Sequence, residues 1–183
     1  MRFSESSVQA LATANGEAHR LRHSAVGTGH LLLALLRDES CTATVVLRSL
    51  GADTSRLGQS LESQLPEAPT EEMLGADPLP TVFTIDEKRV EELVRAGTIV
   101  RLPPDPTRLP QTATLKRSIE QAMAAAREIG PSQELLLGGA GVAEVGTAHL
   151  LLGILLQGGG SASRVLESAG VDAVAVRDQL GRA

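Results

Sequence analysis

Aromatic residues and cysteine are almost absent from this chain of 183 residues, which has two Phe, no Tyr, no Trp and a single cysteine, Cys41. Proteins that bind single-stranded nucleic acid stack its bases on aromatic side chains. A net charge of −5 also opposes binding to a phosphate backbone. We therefore expect no nucleic-acid partner. A lone cysteine forms no internal disulfide, which is typical of proteins from a reducing compartment.

Long apolar segments are lacking as well. The longest aliphatic run, Leu31–Leu36, is far shorter than the ~20 residues that a helix needs to cross a bilayer. The first residues, Met1–Glu5, do not contain the apolar stretch of a signal peptide. We therefore expect a soluble, cytoplasmic monomer that has no contact with membranes.

The sequence does contain enough aliphatic side chains to form a folded core. Hydrophobic residues make up 42% of the chain and charged residues 21%, which excludes disorder along the whole length. Because the core must be built from Leu, Val, Ile and Ala, closely packed helices are favoured over an aromatic-rich sandwich or barrel. The predicted fold class is all-α.

The clearest pattern is an internal repeat. Residues 26–36 read VGTGHLLLALL and residues 145–155 read VGTAHLLLGIL. The same register continues without a gap, with Asp53 matching Asp172 and Leu61 matching Leu180. A constant register over this length is not an accident of composition. The chain is therefore predicted to contain two copies of one unit, residues 3–63 and 112–182.

Each copy is predicted to form four short helices. In the first copy, Ser4 is a suitable N-cap for the opening helix, and Thr28 follows Gly27 as the expected N-cap of the second. This second helix is apolar nearly all round, so we expect it to be buried at the centre of the fold. A third helix follows, and Asp53 or Thr54 is the expected cap of the fourth. The second copy has the same residue types at the matching positions.

Between the copies, residues 64–111 hold most of the prolines and form the predicted linker. Within the linker, residues 86–96 have the spacing of one short amphipathic helix, and residues 98–102 are β-branched enough for a short extended segment. The second copy carries an insertion at residues 131–143.

Each copy has only about 60 residues, and a unit of this size is only marginally stable alone. We therefore expect residues 1–183 to form a single domain with pseudo-twofold symmetry.

These motifs resemble a known family, the N-terminal double-repeat domain of Clp-type AAA+ unfoldases, called the Clp N domain. The family pattern opens with Phe-Thr, continues with a helix ending in E-A-x-x-L-x-H, and then reads I-G-T-E-H-L-L-L-x-L-L. Here the matching segments are Phe3-Ser4, residues 17–23 (EAHRLRH) and the two repeated segments already described. The resemblance covers the chain apart from the linker and the insertion.

The resemblance implies a module that binds substrates, adaptors or small molecules and performs no chemistry. The ATPase rings of a full unfoldase need a G-x-x-x-x-G-K-[ST] phosphate-binding loop, and this sequence has none. We therefore expect a stand-alone N-domain homologue, or else a fragment of a longer chain, and in either case no enzyme. It would modulate or mimic Clp recognition, with a Clp-type unfoldase, its substrates or its adaptors as partners. The alternative is a protein that sequesters a peptide-like small molecule, such as a cyclic-peptide antibiotic, and so protects the cell's own unfoldase.

One departure from the family pattern concerns the ligand. In several members, the resemblance implies, the Glu of G-T-E-H helps to bind phosphorylated arginine by accepting hydrogen bonds from its guanidinium. Gly29 and Ala148 stand at these positions here, and neither has a side-chain acceptor, so we expect no tight binding of phosphoarginine.

In the family, the ligand-binding groove is formed by the opening residues of each copy and the first turn of the G-T-x-H helix. Carried over by position, the predicted ligand-binding residues are Phe3, Ser4, Gly29 and His30 in the first copy and Gln111, Thr112, Ala148 and His149 in the second.

Several of these side chains allow two interpretations. His30 and His149 are either ligand-contacting imidazoles or structural ones hydrogen-bonded to a loop, and the expected burial of their helices favours the second interpretation. Phe3 either lines the groove or staples the first helix to the core. His19 and His23 lie four residues apart on one helix, but no cysteine or carboxylate completes a metal site. We expect no metal and no cofactor.

Overall fold

The computed structural model describes residues 2–65, 109–129 and 144–182 of the chain. These residues contain eight helices and two strands of two residues each. The predicted linker helix (86–96), the predicted extended segment (98–102) and the insertion (131–143) lie outside the described residues.

Each repeat contributes four helices, as the sequence predicts. In the first repeat they are α1 (Glu5–Arg20), α2 (Thr28–Arg37), α3 (Thr42–Ser49) and α4 (Thr54–Gln64). In the second repeat they are α5 (Ala113–Ile129), α6 (Thr147–Gln157), α7 (Ser161–Ser168) and α8 (Ala173–Arg182). The strands are β1 (Arg2–Phe3) and β2 (Glu144–Val145).

Two of the predicted helix caps of the first repeat are confirmed. At the start of α1, the Ser4 hydroxyl accepts a hydrogen bond from the amide of Ser7 at 3.1 Å. At the start of α4, the Asp53 carboxylate accepts from the amides of Ser55 and Arg56, both at 3.0 Å. These side chains supply acceptors for first-turn N–H groups that have no partner within the helix.

The predicted caps Thr28 and Thr147 are wrong, because each of these residues is already the first residue of its helix. The N-caps are Gly27 and Gly146, which have no side chain to accept a hydrogen bond. An imidazole binds the cap instead. In the first repeat, the Gly27 amide donates to Nδ1 of His30 at 2.9 Å.

The two repeats exchange equivalent backbone hydrogen bonds. Phe3 pairs with Val145 in parallel, and Val26 pairs with Gln111 in the same way. The first pairing joins the opening of repeat one to the segment before α6, and the second joins the opening of repeat two to the segment before α2. The Ser4 amide donates to the Val145 carbonyl at 3.0 Å, and the Thr112 amide donates to the Val26 carbonyl at 2.9 Å. This reciprocity gives the fold its pseudo-twofold symmetry.

Helices α2 and α6 form the centre of the core, as their apolar sequences predict. They contact each other, and each is also covered by helices of the opposite repeat. Their most deeply buried leucines, at most 1% exposed, are Leu31, Leu32, Leu35, Leu150, Leu151 and Leu152. Burial of this aliphatic surface is the main favourable contribution to folding.

A buried carboxylate joins α1 to α2. Glu17 is 5% exposed, and its Oε1 lies 2.6 Å from Nε of Arg37 on α2. Its Oε2 accepts from Nε of Arg20 at 2.9 Å, and Arg20 also pairs with Glu62 on α4. Two guanidinium partners compensate the cost of removing this charge from water.

Among the described residues, no helix combines the length and the apolar character that crossing a membrane requires.

Candidate functional site

Two cavities bring together residues that the sequence analysis assigns to ligand binding. The first, called here the α2–α7 cavity, has a volume of about 390 Å³ and lies between the repeats. The first repeat lines it with His23, Thr28, Gly29, His30 and Leu65, and the second repeat lines it with Thr112, Thr114, Gly160, Ser161 and Arg164, among others. Three of the predicted residues, Gly29, His30 and Thr112, therefore share one site.

Two helix starts of this cavity lack side-chain caps. Helix α2 begins after Gly27 and α7 begins after Gly160, so the cap residue of each helix has no side chain that could accept a hydrogen bond from the first turn. The positive end of each helix dipole and its free N–H groups are thus left at the cavity. Gly160 also has a steric reason to be glycine, because a Cβ there would lie 2.5 Å from Oγ1 of Thr28.

A pair of histidines forms one wall of the cavity. Nε2 of His30 lies 2.8 Å from Nδ1 of His23, and the two rings meet edge to face. Because Nδ1 of His30 accepts from the Gly27 amide, the proton of His30 is on Nε2, which donates to His23. Both imidazoles are neutral in this arrangement. Through these hydrogen bonds the two imidazoles link the α1–α2 loop to the first turn of α2.

Burial sets the protonation of this pair. Desolvation lowers the pKa of His30 to about 4, with a smaller lowering from His23 and an opposing effect of the nearby Glu17 carboxylate. Desolvation also lowers the pKa of His23. The cavity wall is therefore uncharged at neutral pH.

Leu65 occupies the space next to Gly29. A Cβ added at Gly29 would lie 2.4 Å from Cδ2 of Leu65 and 2.9 Å from Oγ of Ser161. The site where the family pattern has a glutamate is thus covered by an aliphatic side chain at the end of α4. A side chain at position 29 requires Leu65 to move.

The second cavity, called here the β1–α1 groove, has a volume of about 380 Å³. Phe3 and Gln111, the first residues of the two repeats, both line it. Most of its other lining side chains are apolar: Val8, Leu11, Ala12, Ala14, Val26, Leu109 and Leu115. Val8 is 55% exposed, although it is a large aliphatic residue. The structure therefore separates Phe3 and Gln111 from Gly29 and His30.

The remaining predicted residues lie in neither of these cavities. Ser4 is buried and acts as the α1 cap. Ala148 and His149 are completely buried in the first turn of α6, and the Gly146 amide donates to Nδ1 of His149 at 3.1 Å. The sequence is nearly symmetric at these positions, but the two inter-repeat surfaces differ in their packing.

Most lining residues of the α2–α7 cavity were not predicted, among them Arg164, Leu65 and His23. Arg164 differs from its counterpart in the other repeat, since Val45 matches it. A comparison of the two copies for unmatched residues would have found Arg164. His23 was considered only together with His19, whereas its partner in the fold is His30. No group of three or more potential metal ligands occurs among the residues described.

Comparison with known proteins identifies relatives of this chain. The family model for the Clp repeat (R) N-terminal domain matches residues 2–85 and 138–183. The chain is 31% identical over 179 residues to the negative regulator of genetic competence ClpC/MecB of Bacillus subtilis, and 29% identical over 180 residues to the chaperone protein ClpB of Oceanobacillus iheyensis. In both cases the alignment covers 98% of this chain but only 16% and 17%, respectively, of the relative.

Solved structures show the same fold. The N-terminal domain of the chaperone ClpD from Arabidopsis thaliana superposes with a TM-score of 0.59 at 19% identity, over 97% of this chain and 90% of that one. The Hsp104 N-terminal domain from Candida albicans superposes with a TM-score of 0.58 at 12% identity, over 98% of this chain and 89% of that one. With the family model matching both repeats, this chain belongs to the Clp repeat (R) N-terminal domain family.

Proposed function

We propose that this chain is a non-catalytic binding module that takes up apolar segments of polypeptides, either substrates or adaptors of a Clp-type unfoldase. The observation that carries the proposal is the β1–α1 groove, where Phe3 and a half-exposed Val8 present apolar surface at the junction of the two repeats. Exposed apolar surface is costly in a soluble domain and is typical of sites that bind partners. Two relatives with longer chains are named as a chaperone protein and as a negative regulator of genetic competence.

Within this proposal the two repeats act as one domain, residues 1–183. The groove is lined by Phe3, Leu11 and Val26 from the first repeat and by Gln111 and Leu115 from the second. Neither repeat contains the groove alone. Binding of a ligand there therefore depends on the reciprocal pairing that holds the repeats together.

No chemical step is part of the proposal. The single cysteine, Cys41, is 3% exposed, and its Sγ lies 3.4 Å from the Leu35 carbonyl and 3.4 Å from Oγ1 of Thr44. A buried thiol that bonds to the backbone in this way is a small core side chain and not an accessible nucleophile.

The test is binding of fluorescently labelled casein, an unfolded polypeptide, measured by anisotropy. Phe3→Ala should lower the affinity while the melting temperature stays unchanged. The matched control is Val174→Ala on α8, which removes a similarly apolar side chain that is 69% exposed and lies outside the groove. The control should bind casein like the unaltered chain.

Two results would contradict the groove assignment. Unchanged casein binding in Phe3→Ala would show that the groove is not the site. A loss of roughly 3–5 kcal/mol in the free energy of unfolding, as expected for a core Phe, would show that Phe3 staples α1 to the core instead.

The size of the groove supports a second candidate function. A cavity of about 380 Å³ lies within the range of small-molecule sites. In that case the protein would sequester a peptide-like small molecule, such as a cyclic-peptide antibiotic, and not a protein segment. A thermal shift with cyclic peptides, together with no binding of casein, would favour this second function. Co-purification with an ATPase ring would favour the first.

A further inference from the structure

Two buried histidines and one backbone amide form a hydrogen-bonded chain between α1 and α2. The Gly27 amide donates to Nδ1 of His30 at 2.9 Å, and Nε2 of His30 lies 2.8 Å from Nδ1 of His23. Each contact needs one donor and one acceptor. Nδ1 of His30 is therefore unprotonated, and a single proton lies between the two rings. The chain of hydrogen bonds is complete only while both imidazoles are neutral.

An added proton breaks this chain, whichever ring accepts it. On His30 the proton goes to Nδ1, where it meets the N–H of Gly27. On His23 it goes to Nδ1, where it meets the proton on Nε2 of His30, unless that proton moves to Nδ1 of His30 and meets Gly27 instead. Two donors that face each other in a buried site lose their hydrogen bond. Protonation of the pair thus costs a hydrogen bond, most directly the one to Gly27.

The charged groups around the pair do not remove this cost. Glu17 on α1 favours the charged form of the nearer imidazole, but this carboxylate is already paired with Arg20 on α1 and Arg37 on α2. Arg20 also pairs with Glu62 on α4. Arg164 on α7 lines the same cavity and opposes a further positive charge. Desolvation is the largest effect on the pKa of both rings, and it lowers both values.

Gly27 belongs to a backbone ribbon that separates the two cavities. In this ribbon the Val26 amide donates to the Pro110 carbonyl at 2.7 Å, and the Thr112 amide donates to the Val26 carbonyl at 2.9 Å. Successive residues of an extended segment point to opposite sides. Accordingly, Gly27 and Thr112 line the α2–α7 cavity. Val26 and Gln111 line the β1–α1 groove on the other side, so a displacement of Gly27 also changes a wall of the groove.

The loop that carries Gly27 is strained next to the histidine pair. Arg22 has φ +58°, in the left-handed region that side chains disfavour, and it is the one non-glycine residue with a positive φ among those described. Such a conformation persists only where surrounding contacts hold it. Loss of the hydrogen bond between His30 and Gly27 removes one of these contacts.

Building on the proposed binding of polypeptides in the β1–α1 groove, we propose that the His23–His30 pair is a pH-sensitive switch for this groove. Uptake of one proton breaks the hydrogen bond to Gly27, loosens the ribbon and weakens the binding of a polypeptide. The second repeat lacks this device. His149 accepts from the Gly146 amide in the same way as His30 does from Gly27, but the second repeat contains no other histidine.

The test is a titration from pH 7.5 to about pH 4, restricted by circular dichroism to the range in which the chain is folded. NMR shifts of the ring protons report protonation, and the amide shifts of Gly27 and Thr112 report the ribbon. Anisotropy reports the affinity for a leucine-rich peptide whose side chains, ends and label do not titrate. All three should change with one midpoint, and below it the affinity should fall by about tenfold per pH unit, as expected for one proton. The Ser7 amide, which donates to the uncharged Ser4 hydroxyl, should not follow this midpoint.

Two variants assign the effect to the pair. In His30→Asn the amide oxygen can accept from the Gly27 amide without titrating, so the affinity should depend on pH several-fold less than in the unaltered chain. The matched control is His19→Asn, an exposed histidine on α1, which should retain the full dependence. A third measurement needs no variant. Because linkage is reciprocal, saturating peptide should shift the ring-proton midpoint of the unaltered chain to lower pH.

Three outcomes would overturn the proposal. They are a peptide affinity that stays constant while the ring protons titrate, a ring-proton midpoint that saturating peptide does not move, and equal pH dependence in His30→Asn and the unaltered chain. Failure of the proposed function gives a different result. Peptide binding that Phe3→Ala abolishes but pH does not change leaves the binding module intact and removes only the switch. Absence of peptide binding at every pH refutes the proposed function, and the amide shifts of Gly27 and Thr112 then decide whether protonation loosens the ribbon.

Discussion

The protein should lose stability as the pH falls from about 7.5 to about 5, because His30 is buried as a neutral imidazole. Its pKa is lowered to about 4 in the folded chain, from an ordinary value of 6.5. Below pH 6.5 the unfolded chain takes up a proton that the folded chain does not accept until about pH 4. The stabilisation is therefore fully present above pH 6.5 and is lost as the pH falls toward the folded pKa.

The size of the effect follows from the two pKa values. At about pH 5 the unfolded imidazole is protonated and the folded one is still mostly neutral, a difference of about 1.5 pH units from the unfolded pKa. At 1.36 kcal/mol per unit, the free energy of unfolding should fall by about 2 kcal/mol between pH 7.5 and pH 5. The pKa of His23 is lowered by burial as well, so His23 adds to the loss.

The assay is urea denaturation at a series of pH values, with variants that separate His30 from the other histidines. In His30→Asn, the amide oxygen can still accept from the Gly27 amide, but the side chain no longer titrates. Its free energy of unfolding should depend less on pH. His19→Asn changes an exposed histidine on α1 and should retain the full pH dependence.

The argument fails if the unaltered chain is equally stable at pH 7.5 and pH 5. It also fails if His30→Asn has the same pH dependence as the unaltered chain. The second result would place the titrating group elsewhere in the molecule. Titration of the His30 ring protons by NMR gives a direct measurement of its pKa.

Further predictions concern packing, cooperativity and the ligand. Gly153→Ala should lower the free energy of unfolding by roughly 1–3 kcal/mol in urea denaturation, because its Cβ would lie 2.2 Å from the Ser118 carbonyl oxygen. Gly16→Ala, at a helical glycine with nothing within 4 Å, should instead raise it by up to about 1 kcal/mol. A chain ending at residue 63 should show no cooperative unfolding by circular dichroism, because α2 loses the helices of repeat two that cover it. A cooperative transition would show that repeat one folds alone. Calorimetry should show no tight binding of phosphoarginine, since a charge-assisted hydrogen bond of roughly 1.5–3 kcal/mol is missing at each site. Gly29→Glu combined with Leu65→Ala should increase that affinity, and no increase would mean that the cavity differs from the family in other ways.

The helical architecture could be read from the chain because local signals and the repeat agree. The apolar segments at residues 31–36 and 150–155 predict buried helices, and they form the centre of the core. The cap residues Ser4 and Asp53 mark the starts of α1 and α4. The starts of α2 and α6 were misassigned by one residue. Threonine is a good cap on its own, but here a glycine stands at the cap position, and its amide donates to the imidazole three residues later.

The candidate site was predictable only in part. The resemblance to the family assigned Phe3, Gln111, Gly29 and His30 to one ligand-binding groove. In the fold, these residues line two different cavities. Each cavity is lined by residues of both repeats. Which residues line it therefore depends on how the repeats pack against each other and not on their order along the chain. Leu65 and Arg164 reach the α2–α7 cavity from α4 and α7, and the resemblance to the family assigns neither of them to the groove.

By itself the sequence determined the all-α class, the two copies, the buried central helices and the family. These properties depend on periodicity, on caps and on a repeated motif, which are local along the chain. The tertiary structure alone decided that Phe3 pairs with Val145, that His23 faces His30, and that Leu65 covers Gly29. Such contacts join residues that are distant in sequence or separated by a turn. They are set by the packing of one repeat against the other, which no local pattern encodes.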